Sequence, residues 1–306
     1  MPLLKTGLVG AGVFGGYHAG KIAASNRTEF MGVFDPDMAR CKTLADKHDV
    51  PAFKSLGDLL KACDAVLVAC PAVYHGETVA AALEAGVHVL VEKPLALNAQ
   101  AADSLAALAE DKNLVLQVGH QERLVLDEMG FFSIDEPVLA IEAVREGPPA
   151  PDGRAGDVSV IWDLMIHDLD MVAKLMGRAV SATGEGSIRH SDHIDEARAE
   201  LSFDGGRSAV VSASRAAAER NRRMKVVYAS GEIEIDFLTR AVVNSTKHRI
   251  KADVSAELPD PLGAADEAFF ASCLGERETP IPGKEAAEAV RLAESIETSA
   301  LKKIGA

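Results

Sequence analysis

No stretch of this 306-residue sequence approaches the ~18 uninterrupted apolar residues that a membrane-spanning helix needs, so no span is expected. Cations are also in short supply. Against 46 Asp and Glu stand 32 Lys and Arg, a formal net charge of −14. Phosphates need a cationic partner, so a nucleic-acid or anionic-membrane surface is disfavoured, although a local pocket for a small anion is not. Cysteine is scarce and unpatterned. Cys41, Cys63, Cys70 and Cys273 form no CxxC pair and lack metal-ligand spacing. Reduced core thiols in a cytoplasmic protein, with no metal, are the expectation. There is no internal repeat, low-complexity tract or long charged tail. The opening MPLLKTGLVGAGVFGG has one lysine and an apolar run broken by glycine, a poor secretion signal. What remains is an ordinary globular composition, 48% hydrophobic and 25% charged, on a chain long enough for two domains.

The first ~120 residues alternate short apolar runs with amphipathic helical patterns, the rhythm of βαβ units around a parallel sheet. Strands are predicted at Thr6–Gly10, Phe30–Asp35, Ala65–Ala69, His88–Val91 and Leu114–Gly119. Helices are predicted at Gly15–Ala24, Cys41–His48, Gly76–Ala85 and Ala101–Glu110. From about Glu122 the rhythm changes. A strand (Val138–Arg145), a Gly/Pro-rich stretch and a helix (Leu164–Met176) lead into six β-like runs between Thr183 and Ser245, joined by turn signals such as Asp204-Gly205-Gly206. Helices at Ala264–Leu274 and Lys284–Lys302 follow. The fold class is therefore α/β. A Rossmann dinucleotide-binding domain is predicted over residues 1–121. An α/β domain with an open, mostly antiparallel sheet, for substrate binding and oligomerisation, is predicted over 122–306.

Gly10-Ala11-Gly12-Val13-Phe14-Gly15 is a G-x-G-x-x-G placed between a predicted strand and a predicted helix, with Asp35 ending the next strand. Each glycine has a reason. Gly10 allows a tight turn, Gly12 lets a pyrophosphate approach the backbone, and Gly15 lets helix and strand pack closely. The helix N-terminus then offers N–H groups to phosphate. Asp35 is suited to the adenosine ribose hydroxyls and would repel a 2′-phosphate, which favours NAD over NADP; Arg40 stands close in sequence.

Ligands of open α/β sheets sit at the carboxyl ends of the strands. There the sequence reads Cys70-Pro71-Ala72-Val73-Tyr74-His75, then Glu92-Lys93-Pro94, then Gly119-His120-Gln121-Glu122-Arg123. With GAGVFG and the later WDLMIHDLD, these pieces resemble the glucose–fructose oxidoreductase/inositol dehydrogenase (Gfo/Idh/MocA) family, over essentially the whole chain. The resemblance implies a Rossmann domain followed by an open-sheet domain. It further implies a homodimer or homotetramer through that sheet, a cis Lys93–Pro94 bond, and Asp163 and His167 in the substrate site with Lys93.

The chemistry fits these groups. Oxidising a secondary alcohol sends hydride to the nicotinamide and a proton to a base. Imidazole titrates near neutrality, which suits His167 to that role. Lys93 can stabilise negative charge on the oxygen, and Asp163 can hold a hydroxyl. Val13, Phe14, Pro71, His75, Glu92 and Lys93 join Gly10, Gly12, Gly15 and Asp35 as candidate cofactor contacts. His120, Glu122, Arg123, Arg154 and Trp162 are candidate substrate contacts. The predicted function is an oxidoreductase moving hydride between nicotinamide and a secondary hydroxyl of a sugar, sugar nucleotide or cyclic polyol. UDP-N-acetylhexosamine 3-dehydrogenation is the narrower expectation. The alternatives are a non-catalytic NAD-binding regulator, or a reductase of a non-sugar carbonyl or imine. His190 and His193 beside Asp192 read as a solvated loop in preference to a metal site. The basic stretch Arg215, Arg220, Arg222, Arg223 and Lys225 reads as a soluble edge strand. The alternative for that stretch is a diphosphate site completed by Arg145, Arg154 or Arg123. His18 is expected near the dinucleotide or in packing.

Overall fold

The computed structural model describes residues 2–149 and 156–305. The chain forms two compact units, Met1–Leu124 with Asp260–Ala287, and Val125–Pro259 with Glu288–Ala306.

In the first unit, β1 (Leu4–Val9), α1 (Val13–Ala24), β2 (Thr28–Phe34), α2 (Met38–Lys47), β3 (Ala52–Phe53), α3 (Leu56–Ala62), β4 (Ala65–Val68), α4 (His75–Glu84), β5 (His88–Val91), α5 (Ala99–Asp111) and β6 (Leu116–Val118) alternate along the chain. α6 (Glu122–Met129) follows. The six strands form one parallel sheet in the order β3-β2-β1-β4-β5-β6. Order reverses between β1 and β4, the switch point where such sheets open a ligand crevice. Ala65–Val68 is buried throughout, as a strand covered on both faces must be. The five predicted strands are present. The two-residue β3 and the helices α3 and α6 were not foreseen, being too short for a periodic signal.

The predicted boundary at residue 122 needs one correction, because α8 (Pro261–Cys273) packs with the first unit. Phe269 and Phe270 are fully buried among Leu8, Ile22, Leu67 and Leu90. Lys21 on α1 pairs with Asp260, whose carboxylate also caps α8 through the Gly263 N–H. Two buried phenyl rings carry several kcal/mol of burial, enough to decide where a helix docks.

In the second unit, β7 (Ala140–Glu146), a π-turn (Ile161–Met165), α7 (Ile166–Met176), β8 (Ser181–Ser187), β9 (Glu196–Ser202), β10 (Ser208–Ser214), β11 (Asn221–Tyr228), β12 (Gly231–Asp236) and β13 (Val242–Asn244) occur in that order. The sheet runs β13-β12-β11-β7-β10-β9-β8 and is antiparallel except for the β7–β10 pair. Its strands alternate. Ile141, Ala143, Val211, Met224, Val226, Ile233 and Ile235 are buried on one face. The other face carries Glu142 and Lys225 as an ion pair, with half-buried Val144, Val210 and Val227 among them. This second face is therefore mixed, carrying charged and half-buried apolar side chains. α9 (Gly283–Ile304) closes the chain and passes from the first unit's residues into the second's.

Among the described residues no helix is long and apolar enough to cross a membrane. All four cysteines are free thiols.

Candidate active site

The glycine loop has the shape that the sequence requires. Gly10 has φ +100°, and a Cβ there would lie 2.7 Å from the Ala69 carbonyl. At Gly15 a Cβ would lie 2.0 Å from the Gly10 oxygen. At Gly12 a Cβ would meet nothing within 4 Å, so the space in front of the loop is open. α2, α3, α5 and α8 are each capped by a side chain, from Asp37, Ser55, Asn98 and Asp260. α1 begins at Gly12 with no such cap, leaving its first-turn N–H groups to another acceptor. An uncapped helix start behind an open glycine cradle fits the pyrophosphate of a dinucleotide. Val13 and Phe14 are exposed there.

Asp35, just past β2, is buried. Its carboxylate accepts the Ala11 N–H at 2.7 Å and the Asp37 N–H at 2.8 Å, so it also builds the loop. The Arg40 guanidinium stands 3.9 Å from Asp35 Oδ1 and donates to Asp37 at 3.0 Å. A cation therefore stands beside the Asp35 carboxylate.

At the ends of β4, β5 and β6 the structure places Pro71, Lys93 and His120 as predicted. Lys93 is half-buried between buried neighbours, and the Lys93–Pro94 bond is cis, as expected. Glu92 is buried, and its Oε1 accepts from Gln121 at 3.0 Å and lies 3.2 Å from His18 Nε2. Gly119 on the neighbouring strand end leaves room for that carboxylate, since a Cβ there would come within 2.9 Å of it. His75, expected among the cofactor contacts, is buried, with Nδ1 2.6 Å from the Pro94 oxygen and Nε2 2.9 Å from the Cys70 oxygen. Burial lowers its pKa, and the two carbonyls offset this only in part. Arg123, expected among the substrate contacts, is buried and donates to Glu285 of α9. His120 is buried, and Glu122 is half-buried at the start of α6.

In the second unit Asp163 and His167 are both half-buried, whereas Ile161, Trp162, Met165, Ile166 and Asp168 are buried. Both therefore lie where a ligand can reach them. The segment is not a plain α-helix: Ile161–Met165 is a π-turn, a feature often found at functional sites. Glu297 of α9 holds its start, accepting the Trp162 indole N–H at 2.6 Å and the Ser159 hydroxyl. The Trp162 ring, expected among the substrate contacts, is thus buried and held by Glu297. Beside His167, Asp168 is buried in a two-point bond with Arg145, at 2.9 and 3.1 Å.

Several cations of the diphosphate reading of the basic stretch have carboxylate partners within the protein. Arg145 serves Asp168 and Arg123 serves Glu285. Arg215 serves Asp195, the Val158 oxygen and Ser191, while Arg223 and Lys225 lie beside Glu234, Asp236 and Glu142. Arg154 lies outside the described residues. The loop of His190 and His193 is organised by Asp195, which accepts the N–H groups of residues 189, 190 and 191. Burial alone would raise the Asp195 pKa. The His190 N–H, the Arg215 guanidinium, the Arg189 N–H and the Ser191 hydroxyl outweigh it and hold the carboxyl well below its ordinary range.

This glycine cradle, in this strand order, defines a Rossmann-type dinucleotide-binding protein. Residues 4–120 match the family model described as "Oxidoreductase family, NAD-binding Rossmann fold", and residues 141–234 match the GFO/IDH/MocA C-terminal domain. The UDP-N-acetylglucosamine 3-dehydrogenase of Acidithiobacillus ferrooxidans is 35% identical over 87% of this chain and 82% of its own. A solved structure of that bacterium's enzyme superposes with a TM-score of 0.84, at 31% identity, over 98% of both chains. The scyllo-inositol 2-dehydrogenase (NAD(+)) of Bacillus subtilis is 26% identical over 91% of this chain and 88% of its own. The chain belongs to the GFO/IDH/MocA oxidoreductase family.

Proposed function

We propose that the protein is an NAD-dependent dehydrogenase of a nucleotide-linked N-acetylhexosamine, oxidising the 3-hydroxyl of UDP-N-acetylglucosamine or its epimer. The observation that carries this reading is the 35% identity to a UDP-N-acetylglucosamine 3-dehydrogenase across 87% of the chain. A cyclic polyol is the second reading, favoured by the 26% identity to a scyllo-inositol dehydrogenase. The first unit's glycine loop, α1 and Asp35 would hold the dinucleotide, whose nicotinamide supplies the hydride acceptor. Residues Val125–Pro259 would carry the sugar contacts. His167 takes the proton of the reacting hydroxyl, Lys93 stabilises the charge that develops on its oxygen, and Asp163 orients a sugar hydroxyl. The rest of the proposal is a homodimer or homotetramer through the mixed face of the second sheet, which light scattering tests directly.

The deciding experiment incubates purified protein with NAD or NADP and a panel of UDP-N-acetylglucosamine, UDP-N-acetylgalactosamine, scyllo-inositol and myo-inositol, and follows reduced-nicotinamide absorbance. Reduction with a UDP-sugar and not with an inositol is expected; the reverse pattern selects the polyol reading. Lys93→Met and His167→Ala should each lower kcat by at least about a hundredfold, in line with loss of a general acid/base or an oxyanion partner. Dinucleotide affinity should stay within about threefold, because neither residue is assigned to hold the cofactor's phosphates. Near-normal turnover of both variants would remove these roles.

A further inference from the structure

One buried ionic group has no part in the reaction above. His18, on the inner side of α1, is fully buried and touches a carboxylate with each ring nitrogen. Nδ1 faces Asp266 on α8, at 2.8 and 3.1 Å from its two oxygens, and Nε2 lies 3.2 Å from Glu92 Oε1. Asp266 is itself fully buried. A neutral imidazole has one N–H, which would leave its other nitrogen's lone pair facing a carboxylate. The three groups must therefore share two protons, either both on the ring or one on the ring and one on Asp266. In both cases the cluster carries the same total charge. Burial works against a charged His18, but Asp266 and Glu92 prevail and raise its pKa to about 10. Lys21 adds a cation facing Asp266.

The cluster is well placed. Glu92 immediately precedes Lys93. On the other side of Lys93, the Pro94 oxygen lies 2.6 Å from the ring of His75. Both neighbours of Lys93 are thus pinned by a buried histidine, one through a side chain and one through the backbone.

We propose that His18 is a positioning residue for Lys93, acting through Glu92: clamped by Asp266, it fixes the strand-end carboxylate and with it the turn that presents the lysine. The role takes Lys93 as the group at the reacting oxygen, as proposed above. A misplacement of about 1 Å at a reacting group costs up to about a hundredfold in rate, so a clamp of this kind has a kinetic signature.

The test uses full-length protein whose lysines are reductively methylated with a 13C label, with the Lys93 NMR signal assigned by its loss in Lys93→Met. His18→Gln and Asp266→Asn should shift that signal in the same direction in folded protein, while Glu84→Gln, on the surface of α4, should not. A purely structural role would lower the melting temperature without moving the signal. With UDP-N-acetylglucosamine and NAD as probes, His18→Gln should lower kcat at least about tenfold with each KM within about threefold. In a Glu92→Gln background the same change should cost less than about twofold, because the two act as a unit. A Lys93 signal unmoved by both His18→Gln and Asp266→Asn overturns the proposal, as does full additivity of the His18 and Glu92 losses. Loss of turnover in Lys93→Met with normal turnover in His18→Gln rejects the positioning role alone. Normal turnover in Lys93→Met rejects the reading of Lys93 and the positioning role with it. Should UDP-N-acetylglucosamine not be turned over, the NMR signal decides by itself.

Discussion

Gly12 and Gly15 sit three residues apart and should respond differently to a side chain. At Gly12 an added Cβ meets only open space, so Gly12→Val should fold with a melting temperature within about 2 °C of the parent, the size of a neutral surface change. It should nevertheless weaken NAD binding at least about tenfold in a calorimetric titration, because the side chain fills the pyrophosphate cradle. At Gly15 the Cβ would stand 2.0 Å from a carbonyl oxygen, so Gly15→Val should lose stability itself, by more than about 3 kcal/mol in urea unfolding. Asp35 and Arg40 give a second contrast. Asp35→Ser removes a charge that would repel a 2′-phosphate at this position, while Arg40 remains, 3.9 Å from the carboxylate in the parent. The ratio of NADP to NAD affinity should rise at least about tenfold, about 1.4 kcal/mol. The parent should prefer NAD. Asp35 also holds the Ala11 N–H, so some total affinity should be lost with it. All of these residues were legible in the sequence, since the reason for each lies within a turn of its neighbours. His18 was visible only as a histidine on a helix, because Asp266 lies 248 positions away.

The segment from Ser159 to Met176 shows what spacing alone conveys about an element. Asp163 and His167 stand four residues apart, a spacing that shares a helix face, and both are half-buried, as is Leu164, whereas Trp162, Met165, Ile166 and Asp168 are buried. The π-turn at Ile161–Met165 was not legible, because it is imposed from outside: Glu297 holds the indole of Trp162, and Arg145 on β7 holds Asp168. Removing one member of a buried ion pair strands the other. Asp168→Asn and Arg145→Met should each destabilise the protein by about 3–5 kcal/mol, read from urea midpoints at unchanged slope. The double variant should lose less than the two losses added together, because a stranded charge is then absent. The π-turn's other support is weaker. Glu297→Gln keeps acceptor and shape, so it should cost about 1 kcal/mol. The basic stretch needs one correction here: it reads as a soluble edge strand, but β11, which carries Arg222, Arg223 and Lys225, pairs with both β7 and β12 inside the sheet, and Arg215 is taken up by Asp195.

Across the protein, two ionic groups pull the pH dependence of stability in opposite directions. The pKa of His18 is raised to about 10, so its contribution is complete below the unfolded histidine value of ~6.5 and is lost as pH rises toward 10. The pKa of Asp195 is depressed by its ring of donors, so its contribution is complete above the unfolded carboxylate value of ~4 and is lost on acidification. Stability should therefore fall on alkalinisation as the His18 contribution is lost. It should also fall on acidification through Asp195 and through His75, whose burial-lowered pKa makes the unfolded chain bind the proton first below ~6.5. In His18→Gln the alkaline decline between pH 7 and 10 should flatten, as followed by thermal unfolding; a decline unchanged from the parent would remove His18 as its source.

The sequence by itself determined the parallel sheet, the dinucleotide loop and the family, because hydrophobic period, turn glycines and strand-end motifs are local records of backbone geometry. It also brought Lys93, Asp163 and His167 to notice. It did not show that the chain returns at Asp260 to complete the first unit. Nor did it show that Phe269, Phe270 and Asp266 close that unit's core, or that Arg123, Arg145, Trp162 and His75 meet Glu285, Asp168, Glu297 and the Pro94 and Cys70 oxygens. Those outcomes rest on contacts between residues far apart in the chain. Whether a buried charge or ring meets its partner is decided by packing, which no local pattern encodes.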